Sequence, residues 1–197
     1  MEGVVVGRPR GGDGGGVTRR LVVTGPESTG KTTLAAQLAH RLGAPWLPET
    51  SRAYAEARAR EGRALRAADA EPIARATMAA EDALFASAPP VAVLDTDLIS
   101  TVLYARHYYG SAPDWMEREA LARRGDLYLL CDVDLPWTSD GIRDRPTGRD
   151  AMHAQFVQTL AAFGCTVELV AGMGDARLAA ALVAAAARAS VFAGKAS

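Results

Sequence analysis

The sequence predicts an α/β chain of three layers, a five-stranded parallel sheet flanked by helices. Three observations carry this. Five short apolar runs recur along the chain, separated by stretches with apolar residues at helical spacing. The runs are apolar throughout rather than alternating, as strands covered on both faces require. Between the first run and the first helix lies a glycine-bearing loop, so the chain changes from strand to helix through one tight turn.

The first strand is read over residues 21–24 and leads through Gly25-Pro-Glu-Ser-Thr-Gly-Lys-Thr32 into a helix over 33–42. Pro45-Trp-Leu-Pro48 reads as a short second strand ending at Glu49. Helices rich in Ala, Arg and Glu follow over 50–60 and 67–86, and Pro89-Pro90 breaks the second. Residues 91–94 form a third strand that ends on Asp95. Residues 98–109 and 114–124 read as helices interrupted by Gly110-Ser-Ala-Pro113, and residues 127–131 as a fourth strand. A loop rich in Gly, Pro, Asp and Arg covers 136–148, after which Asp150 is expected to cap a helix reaching Phe163. Residues 166–170 make the fifth strand and 175–191 a closing helix, whose alanines favour close packing. The expected organisation is a flexible glycine-rich tail over 1–18 and one domain over 19–197, without internal repeats.

Composition excludes several classes. A length of 197 residues with 49% hydrophobic content suits one domain with a substantial core. The net charge of −1 gives no reason to expect nucleic acid or an anionic membrane as partner. Cys131 and Cys165 are too few for a disulfide framework and match no metal-site spacing, so both read as reduced thiols of a cytoplasmic protein. No apolar stretch approaches the roughly 18 residues needed to span a bilayer, and the first residues lack a signal peptide's apolar core. His40, His107 and His153 fall on separate helices and read as packed or surface residues.

The loop fits G-x-x-x-x-G-K-[ST], the Walker A pattern, and the strand before it and helix after it supply the required context. The fold class sharpens accordingly to a P-loop NTPase. Backbone N–H groups of the loop and the helix N-terminus face the phosphates of ATP, and the helix dipole favours their charge. The expected ATP-binding residues are Gly25, Glu27, Ser28, Thr29, Gly30, Lys31, Thr32 and Thr33. Lys31 would reach the β- and γ-phosphates, and the Thr32 hydroxyl would ligate Mg²⁺. Of 22 basic residues only Lys31 and Lys195 are lysines, an arginine bias that reads as genome base composition. A compact ammonium at the loop position is therefore chemically required rather than incidental.

In open α/β sheets ligands bind beyond the carboxyl ends of the strands, which selects the polar residues to weigh. Asp95 closes the third strand and is expected to hold Mg²⁺; the alternative is an N-cap, and the pair Asp95 and Asp97 could satisfy both needs. Glu49 and Arg52 stand three apart after the second strand. Glu49 could bind an acceptor hydroxyl or take its proton, or it could merely complement a helix dipole while Arg52 makes a solvated ion pair. The fourth strand delivers Asp132, Asp134 and a loop carrying Arg143, Arg145 and Arg149. Phosphoryl transfer needs positive charge around the moving group with water excluded, which a kinase-type lid bearing these arginines would supply. Arg143 and Arg149 are the favoured pair.

Gly25-Pro-Glu-Ser-Thr-Gly-Lys-Thr-Thr33, Leu94-Asp-Thr-Asp97 and Pro136-Trp-x-x-Asp-Gly-Ile-Arg143 together resemble the ribosylnicotinamide kinase domain of NadR, over nearly the whole chain from about Arg20. The phosphate loop alone is widely shared; the trio in this order is much more specific. The resemblance implies ATP-dependent phosphorylation of the ribose 5′-hydroxyl of nicotinamide riboside, giving nicotinamide mononucleotide, with ATP and Mg²⁺ as cofactors. The catalytic candidates are Lys31, Asp95, Asp97, Glu49, Arg143 and Arg149, with Thr32 and Asp95 at the metal; of these the resemblance carries Lys31, Thr32, Asp95 or Asp97, Glu49 and Arg143, whereas Arg149 rests on the arginine-bearing loop. Substrate contacts would come from Glu49, Arg52, Asp97, Trp137 and Asp140. Trp137 is suited to stack on a cationic pyridinium, or to anchor the base of the lid. Unlike NadR, no adenylyltransferase or DNA-binding domain is expected ahead of the kinase. By architectural analogy, Gly172-Met-Gly-Asp175 would place backbone near adenine.

Two alternatives stay open: a kinase for another nucleoside or nucleotide, and an ATP-dependent switch or regulatory module without a phosphorylated product. No N-K-x-D segment is present for a guanine-reading switch. Homo-oligomerisation is left open.

Overall fold

The middle of the sheet is β1 (Arg19–Thr24), whose residues Leu21 and Val23 point to one face and Val22 to the other. In the computed structural model, which describes residues 18–136 and 148–193, β1 lies between β3 (Val91–Asp95) and β4 (Leu127–Cys131). β2 (Trp46–Leu47) and β5 (Val167–Val170) complete a five-stranded sheet of order β2-β3-β1-β4-β5, parallel at every pairing. The register pairs Val23 with Asp95 and with Leu129, so the ends of β1, β3 and β4 open together on one edge.

Two helical layers cover the sheet. Leu34, Ala35 and Leu38 of α1 (Lys31–Leu42) and Leu178 and Ala181 of α7 (Gly174–Ala193) bury Leu21, Val23, Val93 and Leu129. The other face takes Val22, Leu94, Tyr128 and Leu130 against α3 (Ala70–Phe85), α4 (Leu98–Tyr109), α5 (Asp114–Ala122) and α6 (Arg149–Ala162). Burying one such side chain contributes about 1.5–3 kcal/mol, and the cross-sheet alternation gives each layer its own core. α2 (Thr50–Arg60) packs outside, against α3.

The expected element order is observed, with local corrections. α1 begins at Lys31, two residues early, because the amide of Leu34 already bonds to the Gly30 carbonyl. Residues 67–69 form a 3₁₀ turn ahead of α3, since the Asp69 carboxylate accepts from the Arg66 amide and tightens the entry. α6 is preceded by Gly148 at φ 101°, not capped by Asp150; the helix starts at Arg149, leaving Asp150 in its first turn. Among the described residues no helix is long and apolar enough to cross a membrane.

Candidate active site

Residues 25–30 turn the chain from β1 into α1, and glycine is required where they do so. A Cβ at Gly25 would lie 2.9 Å from the Cys131 carbonyl oxygen, at a φ of 135°. Gly30 has φ 74°, and a Cβ there would sit 3.0 Å from Leu135 Cδ1. The loop is braced internally: Thr29 Oγ1 donates to the Pro26 carbonyl at 2.7 Å, and Lys31 Nζ to the same oxygen at 2.6 Å. Lys31 is 8% exposed. Residues Ser28 to Thr33 line a pocket together with Glu49, Arg52, Leu135 and Pro136. Gly25 and Glu27 do not line it; Glu27 Oε1 is 3.5 Å from Tyr108 Oη.

Asp95 and Asp97 separate sharply. Thr96 has φ 65°, a left-handed turn that sends the two carboxylates in different directions. Asp95 Oδ2 accepts from the Thr32 hydroxyl at 2.6 Å, whereas Oδ1 is buried without a hydrogen-bond partner among the described residues. Burial raises the Asp95 pKa, as does the nearby Glu49 charge, against the lowering effects of the Thr32 bond, Lys31 and Arg52. A hydroxyl beside an unsatisfied carboxylate oxygen is the hard-oxygen donor set that Mg²⁺ takes along with waters and phosphate oxygens. Asp97 is instead the N-cap of α4: Oδ1 accepts from the Ile99 and Ser100 amides at 3.1 and 3.3 Å. Its Oδ2 accepts from Tyr128 Oη at 2.5 Å. With both oxygens engaged and 4% exposure, Asp97 is corrected from a substrate-binding and catalytic candidate to a cap beneath the site.

Glu49 follows β2 by two residues, at the N-cap position of α2, and is 6% exposed. It accepts from Ser51 Oγ at 2.6 Å and lies 3.6 Å from Arg52 Nε. A second pocket, with a cavity volume of about 70 Å³, opens on its other side. Tyr104, Tyr108 and Tyr109 of α4 line it, with Leu65, Asp69 and Ile73 opposite. The Tyr104 and Tyr108 rings stack at 6.0 Å with planes 8° apart. Asp69 is a clamp rather than a free acid: it accepts from Tyr54 Oη at 2.9 Å and pairs with Arg58 at 2.5 Å; burial raises its pKa, but these bonds and that from the Arg66 amide together bring it below the ordinary carboxylate value. Glu49 therefore belongs to both pockets, between the phosphate loop and the tyrosines.

Arg149 is placed at the neck of the 136–148 loop, where Nη2 donates to the Val133 and Leu135 carbonyls at 2.8 and 2.7 Å. Trp137, Asp140, Arg143 and Arg145 lie outside the described residues. Sequence reasoning missed the pocket tyrosines, although three of the chain's five tyrosines fall within residues 104–109. It also missed Arg177, which an arginine-rich composition hides.

A phosphate loop at the strand ends of a parallel sheet, with a second pocket meeting it at Glu49, defines a P-loop domain with a kinase-type fold. The chain matches the AAA domain family AAA_28 over residues 20–177 and belongs to it. It is 28% identical over 138 residues to the trifunctional NAD biosynthesis/regulator protein NadR of Escherichia coli, covering 70% of this chain and 34% of that protein. The NadR of Salmonella typhimurium is 29% identical over 126 residues, 64% of this chain and 31% of its own length. The chain thus spans about a third of the curated relatives it matches. Among solved structures, NadR in complex with NR superposes with a TM-score of 0.66 at 27% identity, over 85% of this chain and 50% of that one. NadR in complex with NAD and AMP-PNP gives 0.64 at 26%, over 85% and 48%. Thymidylate kinase from Ehrlichia chaffeensis shares the fold, with a TM-score of 0.61 at 13% identity over 85% of this chain and 96% of its own.

Proposed function

We propose that this chain is an ATP-dependent small-molecule kinase that phosphorylates the ribose 5′-hydroxyl of nicotinamide riboside. The observation that carries the reading is the position of Glu49, a buried carboxylate shared by the phosphate pocket and the tyrosine-lined pocket. The relatives solved with NR and with AMP-PNP support the same pair of ligands.

In this reading the triphosphate rests on residues 28–33, and Lys31 leaves the Pro26 carbonyl to meet the β- and γ-phosphates. Thr32 and Asp95 hold Mg²⁺, which when bound neutralises phosphate charge. The riboside occupies the second pocket, its cationic ring against the tyrosine faces, a contact worth about 0.5–2 kcal/mol. Glu49 accepts the 5′-hydroxyl proton while that oxygen bonds to the γ-phosphorus, and the bond from γ-phosphorus to the β,γ-bridging oxygen breaks to release ADP. Arg52, 3.6 Å away, orients the Glu49 carboxylate. Arg143 and Trp137 are carried in this proposal on the family resemblance alone.

Coupled ADP-release measurements with Mg-ATP across nicotinamide riboside, other nucleosides and nucleotides test it. Nicotinamide riboside is expected to give the highest kcat/KM. Equal slow release with every acceptor and with none would replace the kinase by a bare ATPase or switch, and preference for another nucleoside would change the substrate.

A further inference from the structure

Arg177 stands in the first turns of α7, is 4% exposed, and takes no part in the chemistry above. Its guanidinium joins four separate points of the chain. Nη1 donates to the Thr29 carbonyl of the phosphate loop. Nε donates to the Gly172 carbonyl, after β5, at 2.7 Å. Nη2 pairs with the Asp134 carboxylate and reaches the Asp132 carbonyl, after β4, at 3.4 Å. Asp134 in turn accepts from the Gly172 amide at 2.5 Å, which closes the network.

We infer that Arg177 is a positioning residue for the nucleotide's phosphates, acting by setting the orientation of the Thr29–Gly30 peptide. A trans peptide directs its C=O and N–H oppositely, so a Thr29 carbonyl held by Arg177 turns the Gly30 N–H away from Arg177. Gly30 lines the phosphate pocket, and Arg177 approaches it from behind: a Cβ on Gly30 would lie 3.7 Å from Nη1. At φ 74° Gly30 has the freedom to flip that peptide. A flipped carbonyl would meet the phosphates with negative charge in place of a donor. Burying a cation is costly unless it is paired, and Asp134 provides the pair. Only a planar fork with donors in several directions spans carbonyls on three segments at once; a lysine ammonium cannot.

This inference rests on the phosphate-loop pocket binding nucleotide, so the experiment separates the two. Mg-ATP and inorganic tripolyphosphate are titrated by calorimetry into the full chain and its Arg177→Lys and Asp134→Asn variants, with Tm and the KM for ATP and for the acceptor measured alongside. Arg177→Lys is expected to weaken ATP and tripolyphosphate by the same factor, about tenfold for loss of a charged hydrogen bond. Its acceptor KM stays at the wild-type value. Asp134→Asn, which leaves the arginine in place but unpaired, is expected to weaken both by a smaller factor and tests the network should Arg177→Lys fail to fold. A lowered Tm with unchanged affinities, a loss confined to ATP, or an equal rise in acceptor KM would overturn the positioning role. Wild-type protein that binds neither probe would overturn the nucleotide-site reading itself.

Discussion

The two pockets that meet at Glu49 are built by different means. Six of the ten residues lining the phosphate side form one continuous segment, 28–33, whose shape comes from backbone turns at Gly25, Ser28 and Gly30. The acceptor side is made of side chains drawn from residue 49 to residue 109, standing on α3, α4 and the turn before α3. A backbone device is rigid and indifferent to what lies beyond the phosphates; a side-chain device is adjustable and selective. Their difference predicts that damage to one pocket leaves the other's affinity intact.

The largest effect expected is that of Lys31→Ala, which removes the cation proposed to meet the transferred group. Turnover should fall about a thousandfold, while acceptor binding measured by calorimetry stays near wild type. A comparable loss of acceptor affinity would mean that the pockets are one unit. Smaller, and in the opposite sense, Tyr108→Ala should raise the acceptor KM about fivefold, as expected for a lost cation–π face, with the ATP KM unchanged. Unaltered acceptor KM would remove the ring from the recognition surface.

The smallest effect concerns pH. In the layer beneath the pockets, burial pushes the Asp97 carboxyl up to about 6 and the Glu81 carboxyl up to about 7. Glu81, on α3, is held there by its burial and by the nearby Asp97 charge, despite Arg20 and Arg123 at 3.9 and 3.7 Å. A folded pKa above the unfolded one favours the protonated native state, so these groups stabilise fully below their ordinary pKa and lose that contribution as pH rises through the raised values. The wild-type Tm should therefore decline by a few degrees between about pH 4 and 7. Asp97→Asn keeps an acceptor for the α4 amides, and should remove the part of the decline that ends near pH 6. A Tm profile identical to wild type would show that Asp97 stays ionised throughout.

Legibility followed the same division. The turn from β1 into α1 was readable because glycine is demanded at fixed spacing by φ and by close approach to Cys131. The pairing of Thr32 with Asp95 was readable from a strand that ends on an acid. Asp97 was misread because capping and catalysis use the same residue type, and only the kink at Thr96 separates them. Tyr104, Tyr108 and Asp69 carried no spacing rule, since their meeting depends on how α3 packs on α4. Arg177, distant from Thr29 along the chain, gave no local sign of contact with it.

Alternating apolar runs and helical periods were enough to settle five parallel strands between two helical layers, because local hydrogen bonding and one-dimensional hydrophobic patterning act over a few residues. The phosphate loop belongs to that same local physics. Strand order, the shared place of Glu49 and the seat of Arg177 behind the loop came only with folding, because contacts between distant segments depend on how whole layers pack, which no short stretch of chain encodes.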